Sequence, residues 1–257
     1  MPDYQDILYD VDNYVATIAI NRPKKLNAFN GQTVIEMQDA FEQAGNDKNV
    51  GVIVFTGVGD RAFSAGGDVE WEADGGLEDL DFKLNQMICE CPKPVIARVS
   101  GYAIGGGHHL AYFCDLTIAA DHSIFGQNGP RVGSPAGGYI VSHSANILGH
   151  KRARELWMLC RRYDARQALD WGLANAIVPK EELDAEVRKW ADEMLSLSPT
   201  CLRILKASFR KHIDPIMDHE MSMLIREVAP NYFETGEQQE GANAFLEKRA
   251  PDFSPWR

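Results

Sequence analysis

Two glycine-rich turns carry the residues most able to do chemistry: Ala62-Phe63-Ser64-Ala65-Gly66-Gly67-Asp68 and Gly101-Tyr102-Ala103-Ile104-Gly105-Gly106-Gly107-His108-His109. Each follows an apolar run, Val52-Ile53-Val54-Phe55 or Val95-Ile96-Ala97-Arg98-Val99, and the second opens into a helical pattern. Glycine lets bare backbone N–H groups approach a ligand with no Cβ in the way. A helix N-terminus adds unsatisfied donors and the positive end of a dipole. Two such amides aimed at one point form an oxyanion hole, which suits a carbonyl oxygen that becomes negative during reaction. Either turn alone reads equally well as a tight strand-to-helix connection; two of them, each behind a strand, favour the anion reading.

Other side chains could serve such a site. His109 lies three residues beyond Gly106, on the same helix face. With a reference pKa of about 6.5 it suits a base that activates water, or it is a core histidine satisfied by backbone. Tyr139 and His143, four apart, share a face, where a phenol could bond a ketone oxygen or simply pack. Arg131 could pair with a substrate carboxylate or stay at the surface. Lys24, Lys25 and Arg61 read as solvated charges, as do Glu70 and Glu72.

Composition sets the frame. The 257 residues are 45% hydrophobic, enough for a large core as one domain or one with an appendage. A net charge of -11 argues against a nucleic-acid partner, because phosphate contacts need basic patches. No apolar run reaches membrane-spanning length, and the acidic start Met1-Pro2-Asp3 does not resemble a signal segment. Cys89, Cys91, Cys114, Cys160 and Cys201 lack CxxC spacing and read as thiols of a reducing cytoplasm, with no metal site.

The elements that must position the turns follow from periodicity. Ile7 to Tyr9 and Val15 to Ile20 are expected as strands joined by a turn at Asp12-Asn13. Gly31 to Ala44 and Phe82 to Cys89 read as helices, and Leu116 to Ala119 as a strand. Asp74 to Asp81 is expected to be a mobile acidic loop, and Gly126 to Gly138 a functional one. Gly138 to Leu148, Lys151 to Leu159 and Ala165 to Trp171 read as helices, and Asn175 to Val178 as a strand. Glu181 to Leu197 and Pro199 to Lys211 are amphipathic. Strand–turn–helix repetition predicts an α/β fold with largely parallel pairing over residues 1–197, followed by a helical region over 198–257.

Taken in order, Asn21-Arg22-Pro23, Leu26-Asn27-Ala28, Ser64 to Asp68, Pro92-Lys93-Pro94-Val95-Ile96-Ala97, Gly105-Gly106-Gly107, Cys114-Asp115-Leu116-Thr117-Ile118-Ala119 and Phe125-Gly126-Gln127 resemble the crotonase (enoyl-CoA hydratase/isomerase) superfamily. The resemblance covers essentially the whole chain. It implies a spiral of ββα units with a C-terminal helical trimerisation region, a trimer or dimer of trimers, and an acyl-CoA substrate. By position, Gly67 and Gly106 would supply the amides that hold a thioester enolate. Lys24, Lys25 and Arg61 would meet CoA phosphates, and Leu26 and Ala65 would line the path of pantetheine and adenine. Lys248 matches a tail residue that reaches CoA from a neighbouring subunit. Ala28, Gly66, Asp68, Tyr102, Ile104 and Gly105, within the matching motifs, would be binding positions as well.

Hydratases of that superfamily place two glutamates where this chain has His109 and Gly129. A carboxylate pair adds and removes water across a double bond, so their loss disfavours simple hydration. Gly126 to Ser134, Gly149 to Glu155, Cys160 to Ala165 and Glu240 to Phe253 resemble the branch of 2-ketocyclohexanecarboxyl-CoA hydrolase and 1,4-dihydroxy-2-naphthoyl-CoA synthase. Ser134 there matches a ligand-contacting serine. Gly172-Leu173-Ala174-Asn175 and Leu183-Asp184-Ala185-Glu186-Val187 lean toward the ring-opening hydrolase. One departure stands out: both relatives carry an aspartate where this chain has Ala136. The expected reaction is hydrolytic carbon–carbon ring opening of a cyclic β-ketoacyl-CoA, with Gly67, Gly106, His109, Ser134 and Tyr139 as catalytic candidates. No metal or redox cofactor is expected. The alternatives are a Claisen-type ring closure, in which Gln127, Asn128 and Gly129 would hold a bicarbonate, or another acyl-CoA hydratase or lyase.

Overall fold

The computed structural model describes residues 4–76, 84–217 and 229–256. Strands β1 (Ile7–Asp12) and β2 (Val15–Ile20) form an antiparallel hairpin, turned by Asn13 and Tyr14 at φ 45° and 64°. Helix α1 (Gly31–Asn46) follows, its Asn30 cap accepting from the Thr33 amide at 3.0 Å.

Three units then repeat one plan: a long strand in a large sheet, a short strand in a second sheet, and a helix. The first is β3 (Val52–Gly57), β4 (Ala62–Ser64) and α2 (Val69–Trp71). After α3 (Leu84–Glu90) comes β5 (Val95–Val99), β6 (Tyr102–Ile104) and α4 (Gly106–Phe113). The third is β7 (Leu116–Ala120), β8 (Ile124–Gly126) and the single turn α5 (Gly129–Val132). Beyond them lie α6 (Tyr139–Leu159), β9 (Arg162–Asp164), α7 (Ala165–Asp170), β10 (Ala176–Val178), α8 (Leu183–Leu195), α9 (Pro199–Met217) and α10 (Glu237–Leu246).

The large sheet runs β1-β2-β3-β5-β7-β10 and the small one β4-β6-β8-β9; every pairing is parallel except the hairpin and β8–β9. β3 is buried along its whole length, as a central parallel strand covered on both faces should be. On one face Phe41, Phe55 and Phe63 meet edge to face, with centroids 5.3 and 5.5 Å apart. On the other, Val54, Ile96 and Ile118 pack beneath Leu183 and Val187 of α8. The α/β class, the ββα repetition and the helical C-terminal region thus agree with the sequence reading.

Differences are local and have physical causes. The short strands β4 and β6 lie inside the two expected glycine turns, and β8 lies where no strand is expected, because three residues carry no usable period. The two helices expected after Gly138 form one element, broken at Gly149, which sits at φ 71°. The loop from Gly126 to Gly138 holds the turn α5. Asp74 to Gly76 closes a π-type turn that starts at Glu72; 77–81 of the expected acidic loop, and 82–83 of the following helix, lie outside the described residues. Cys91, Cys114 and Cys160 are buried free thiols, whereas Cys201 is exposed. Among the described residues no helix is long and apolar enough to cross a membrane.

Candidate active site

Parallel registry of the small sheet places the chemistry. Ala62 pairs with Tyr102 and Ile104 with Gly126, so the loops leaving β4, β6 and β8 open at one end of that sheet. Ser64 fixes the first loop, its hydroxyl accepting from the Gly66 amide (3.2 Å) and donating to the Asn27 carbonyl (2.8 Å). The segment from Leu26 to Phe29 runs alongside. The Ala65 amide donates to Leu26 O (3.0 Å), the Phe29 amide to Gly66 O (2.9 Å) and the Asp68 amide to Phe29 O (2.8 Å). Leu26 and Asn27 hold left-handed backbone at φ 53° and 54°, and the buried Asn27 carboxamide donates to Ala62 O at 2.7 Å.

The two glycine turns abut. A Cβ on Gly66 would fall 2.9 Å from the Gly106 nitrogen, and one on Gly107 would fall 2.1 Å from the Ser64 carbonyl oxygen. Gly66 and Gly105 also sit at φ 96° and 56°, where side chains are rare. Among the described residues, neither the Gly67 nor the Gly106 N–H donates to a backbone carbonyl. Both glycines line one cavity of about 310 Å³. This arrangement can offer two main-chain donors to a single developing negative charge.

That cavity also gathers Lys24, Lys25, Leu26, Ala28, Ala65, Gly66, Asp68, Gly105, Asn128 and Ser134. Asp68 is buried and braced by Arg22 at 3.1 Å and Lys25 at 3.5 Å, and its carboxylate caps α2 through the Glu70 amide. Lys25 also pairs with Glu70 at 2.6 Å.

Several expected residues stand elsewhere. His109 is outside the cavity, its ring 5.1 Å from that of Trp157 and its Nε2 3.2 Å from Gln127 Oε1. Burial pushes its pKa down to about 4, rather than leaving it near neutrality. Its neighbour His108 goes lower, to about 3, through burial and then the His109 charge. The buried Gln127 carboxamide spans both rings, with Nε2 3.3 Å from His108 Nδ1. Of the three residues expected to hold a bicarbonate, this leaves Asn128 and Gly129 on the cavity wall.

Tyr139 is buried with its ring edge-on to Phe113, and His143 stacks on Phe113 at 4.7 Å; neither lines the cavity. Arg61 and Tyr102 meet at the opposite end of the short strands, where the Tyr102 amide donates to Arg61 O. Ile104 is buried behind the turn, and Arg131 reaches the Leu159 carbonyl at 3.4 Å. Ala136 packs against the core. Lys248 is exposed and does not line the cavity; Phe245 and Leu246 of the same chain do.

The residue the sequence reading missed is Glu72, which it took as solvated. Its carboxyl lies on the cavity wall, so close to Gly67 that a Cβ there would fall 1.8 Å from Glu72 Oε1. Burial pushes its pKa up to about 7, helped by the Asp68 charge and opposed by the Ser134 hydroxyl, which donates to it. The available clue was its place four residues after Asp68, one helical turn on, which returns the side chain to the glycine turn.

Fold and cavity together define a class: repeated ββα units that set two unbonded glycine amides on one wall. A family model described as Enoyl-CoA hydratase/isomerase matches residues 10–255, and the chain belongs to that family, the acyl-CoA-processing crotonase superfamily. An enoyl-CoA hydratase from Mycobacterium avium subsp. paratuberculosis K-10 is 28% identical, with a TM-score of 0.83 over 97% of this chain and 99% of that one. A methylmalonyl-CoA decarboxylase in complex with 2-nitronate-propionyl-CoA is 27% identical, with a TM-score of 0.86 over 97% and 98%. An enoyl-CoA hydratase/isomerase from Xanthobacter autotrophicus Py2 is 29% identical, with a TM-score of 0.77 over 95% and 92%.

Proposed function

We propose that this enzyme opens the ring of a cyclic β-ketoacyl-CoA with water, through a thioester enolate. The observation that carries the reading is the pair of unbonded amides at Gly67 and Gly106, on abutting turns of one cavity. Water adds to the ring ketone, and the bond from that carbon to the α-carbon breaks. The electron pair moves into the thioester carbonyl, whose oxygen the two amides hold, and protonation of the α-carbon completes the open-chain acid. Hydration of an enoyl-CoA is disfavoured because His109 and Gly129 stand where hydratases keep their glutamates.

On this reading Lys24 and Lys25 meet the CoA phosphates, and Leu26, Ala28 and Ala65 flank the pantetheine arm. No metal or redox cofactor takes part. Assembly as a trimer or dimer of trimers, in the cytoplasm, belongs to the same proposal. The assembly is supported by the outward apolar side chains of α9, where Ile204 and Phe209 are 59% and 73% exposed. Incubation with 2-ketocyclohexanecarboxyl-CoA tests the reaction by mass spectrometry: the CoA ester should gain the mass of one water. Release of free CoA alone would replace ring opening with thioester hydrolysis.

A decarboxylase reading is favoured by the likeness to the methylmalonyl-CoA enzyme, since loss of carbon dioxide also leaves an enolate. Against it, a substrate carboxylate would share the cavity with Glu72, Asp68 and Glu70. Carbon dioxide release from methylmalonyl-CoA separates the two.

A further inference from the structure

We propose that Glu72 is the proton-transfer residue of this site, taking a proton from the attacking water and returning it to the α-carbon, with Ser134 as its positioning residue. The inference rests on the enolate reading above and deepens it.

Geometry places the group. Glu72 Oε1 lies against the Cα of Gly67, on the same cavity wall as Gly106 and Ser134. Its backbone is held at both ends: the Glu72 amide donates to Asp68 O at 2.9 Å, and the Glu72 carbonyl accepts from the buried Gln238 carboxamide at 3.3 Å. Gln238 belongs to α10, so the C-terminal helix braces the turn from behind.

The surroundings suit a group that must both accept and donate. Asp68 faces the Glu72 carboxyl from the glycine turn, and Ser134 faces it from the loop after α5. Lys24, Lys25 and Glu70 share the cavity, but the Lys25 ammonium is committed to Glu70 and Asp68. Among the described residues no lysine or arginine pairs with Glu72. Burial therefore outweighs the opposing Ser134 hydrogen bond, and the carboxyl pKa is pushed up to about 7. Both protonation states are populated near neutrality, as a base that must become an acid in the same turnover requires. His109, at about 4, is a far weaker base there.

The step balances. The Glu72 carboxylate removes one proton from water as the hydroxide oxygen bonds to the ketone carbon. The carbon–carbon bond breaks, its electrons pass into the thioester carbonyl, and the Glu72 acid delivers the same proton to the α-carbon.

The test uses Glu72→Gln and Ser134→Ala in the full-length enzyme with two probes. These are 2-ketocyclohexanecarboxyl-CoA for turnover and butyryl-CoA in heavy water for α-proton exchange. E72Q should lower kcat and exchange roughly hundredfold or more while KM moves only a few-fold. The wild-type pH profile should carry a limb near 7, absent in E72Q. In S134A that limb should move upward, because the hydrogen bond that favours the carboxylate is gone. Ring opening that survives in E72Q, or a limb unmoved in S134A, overturns the proposal and leaves the ring-opening reading standing. Exchange without ring opening, lost in E72Q, does the reverse. Wild-type protein that neither exchanges nor opens the ring overturns both. Should E72Q not fold, the S134A limb and a Glu72→Asp variant with kcat partly restored and KM kept decide the matter.

Discussion

Removing the charge at position 72 should stabilise the protein above neutral pH even as it removes activity. Burial, then the Asp68 charge, raises the Glu72 pKa from 4.5 to about 7 against the pull of Ser134. A carboxyl whose folded-state pKa is raised contributes stability below its unfolded value and loses it as pH rises through the folded one. The loss here falls between 4.5 and about 7. The whole shift corresponds to roughly 3 kcal/mol. Glu72 faces an open cavity, and solvent screening brings that to about 1–2 kcal/mol. Glutamine keeps the shape and carries no charge at any pH, so E72Q escapes the loss. For a chain of this size each kcal/mol moves Tm by about 2–4 °C. Thermal unfolding of wild type and E72Q is compared at about pH 5 and about pH 8.5, at equal protein concentration because assembly couples to stability. The Tm values should nearly coincide at the lower pH, and E72Q should melt several degrees higher at the upper one. An equal separation at both pH values, or a lower melting E72Q in base, would refute the burial argument.

Further outcomes follow from the same geometry. Gly106→Ala would drive its methyl to 2.5 Å from Phe29 Cζ and displace the amide; kcat should fall about a hundredfold, on the order of 3 kcal/mol. An unchanged kcat would remove that amide from the reaction. His109→Ala should leave the pH limb near 7 in place, since burial holds the imidazole at about 4; loss of the limb would move the proton role to His109. Asp68→Ala takes one carboxylate partner from Arg22, which keeps Asp6, and one from Lys25, which keeps Glu70, and removes the cap of α2; it should lower stability by about 1–3 kcal/mol in urea titrations. A midpoint within error of wild type would mean that the ion pairs hold nothing.

The family was legible in the sequence because its marks are local. The glycines of both turns and the alternation of apolar runs with helical periods each depend on a few neighbouring residues, and local sterics fix their conformation. The absence of glutamates at 109 and 129 is equally plain without coordinates. The tertiary structure decided what those turns face. Three short strands in register bring the loops after β4, β6 and β8 to one cavity, a pairing that no window of sequence contains. The same packing turned His109 toward Trp157 and Gln127, where burial takes away its basicity. It left Arg61 and Tyr102 at the far end of the short strands. It also carried Glu72, a carboxylate that reads as solvated from its acidic stretch, against the α-carbon of Gly67. A carboxyl group's charge depends on what surrounds it in space, so only the folded chain could give this one a pKa near neutrality.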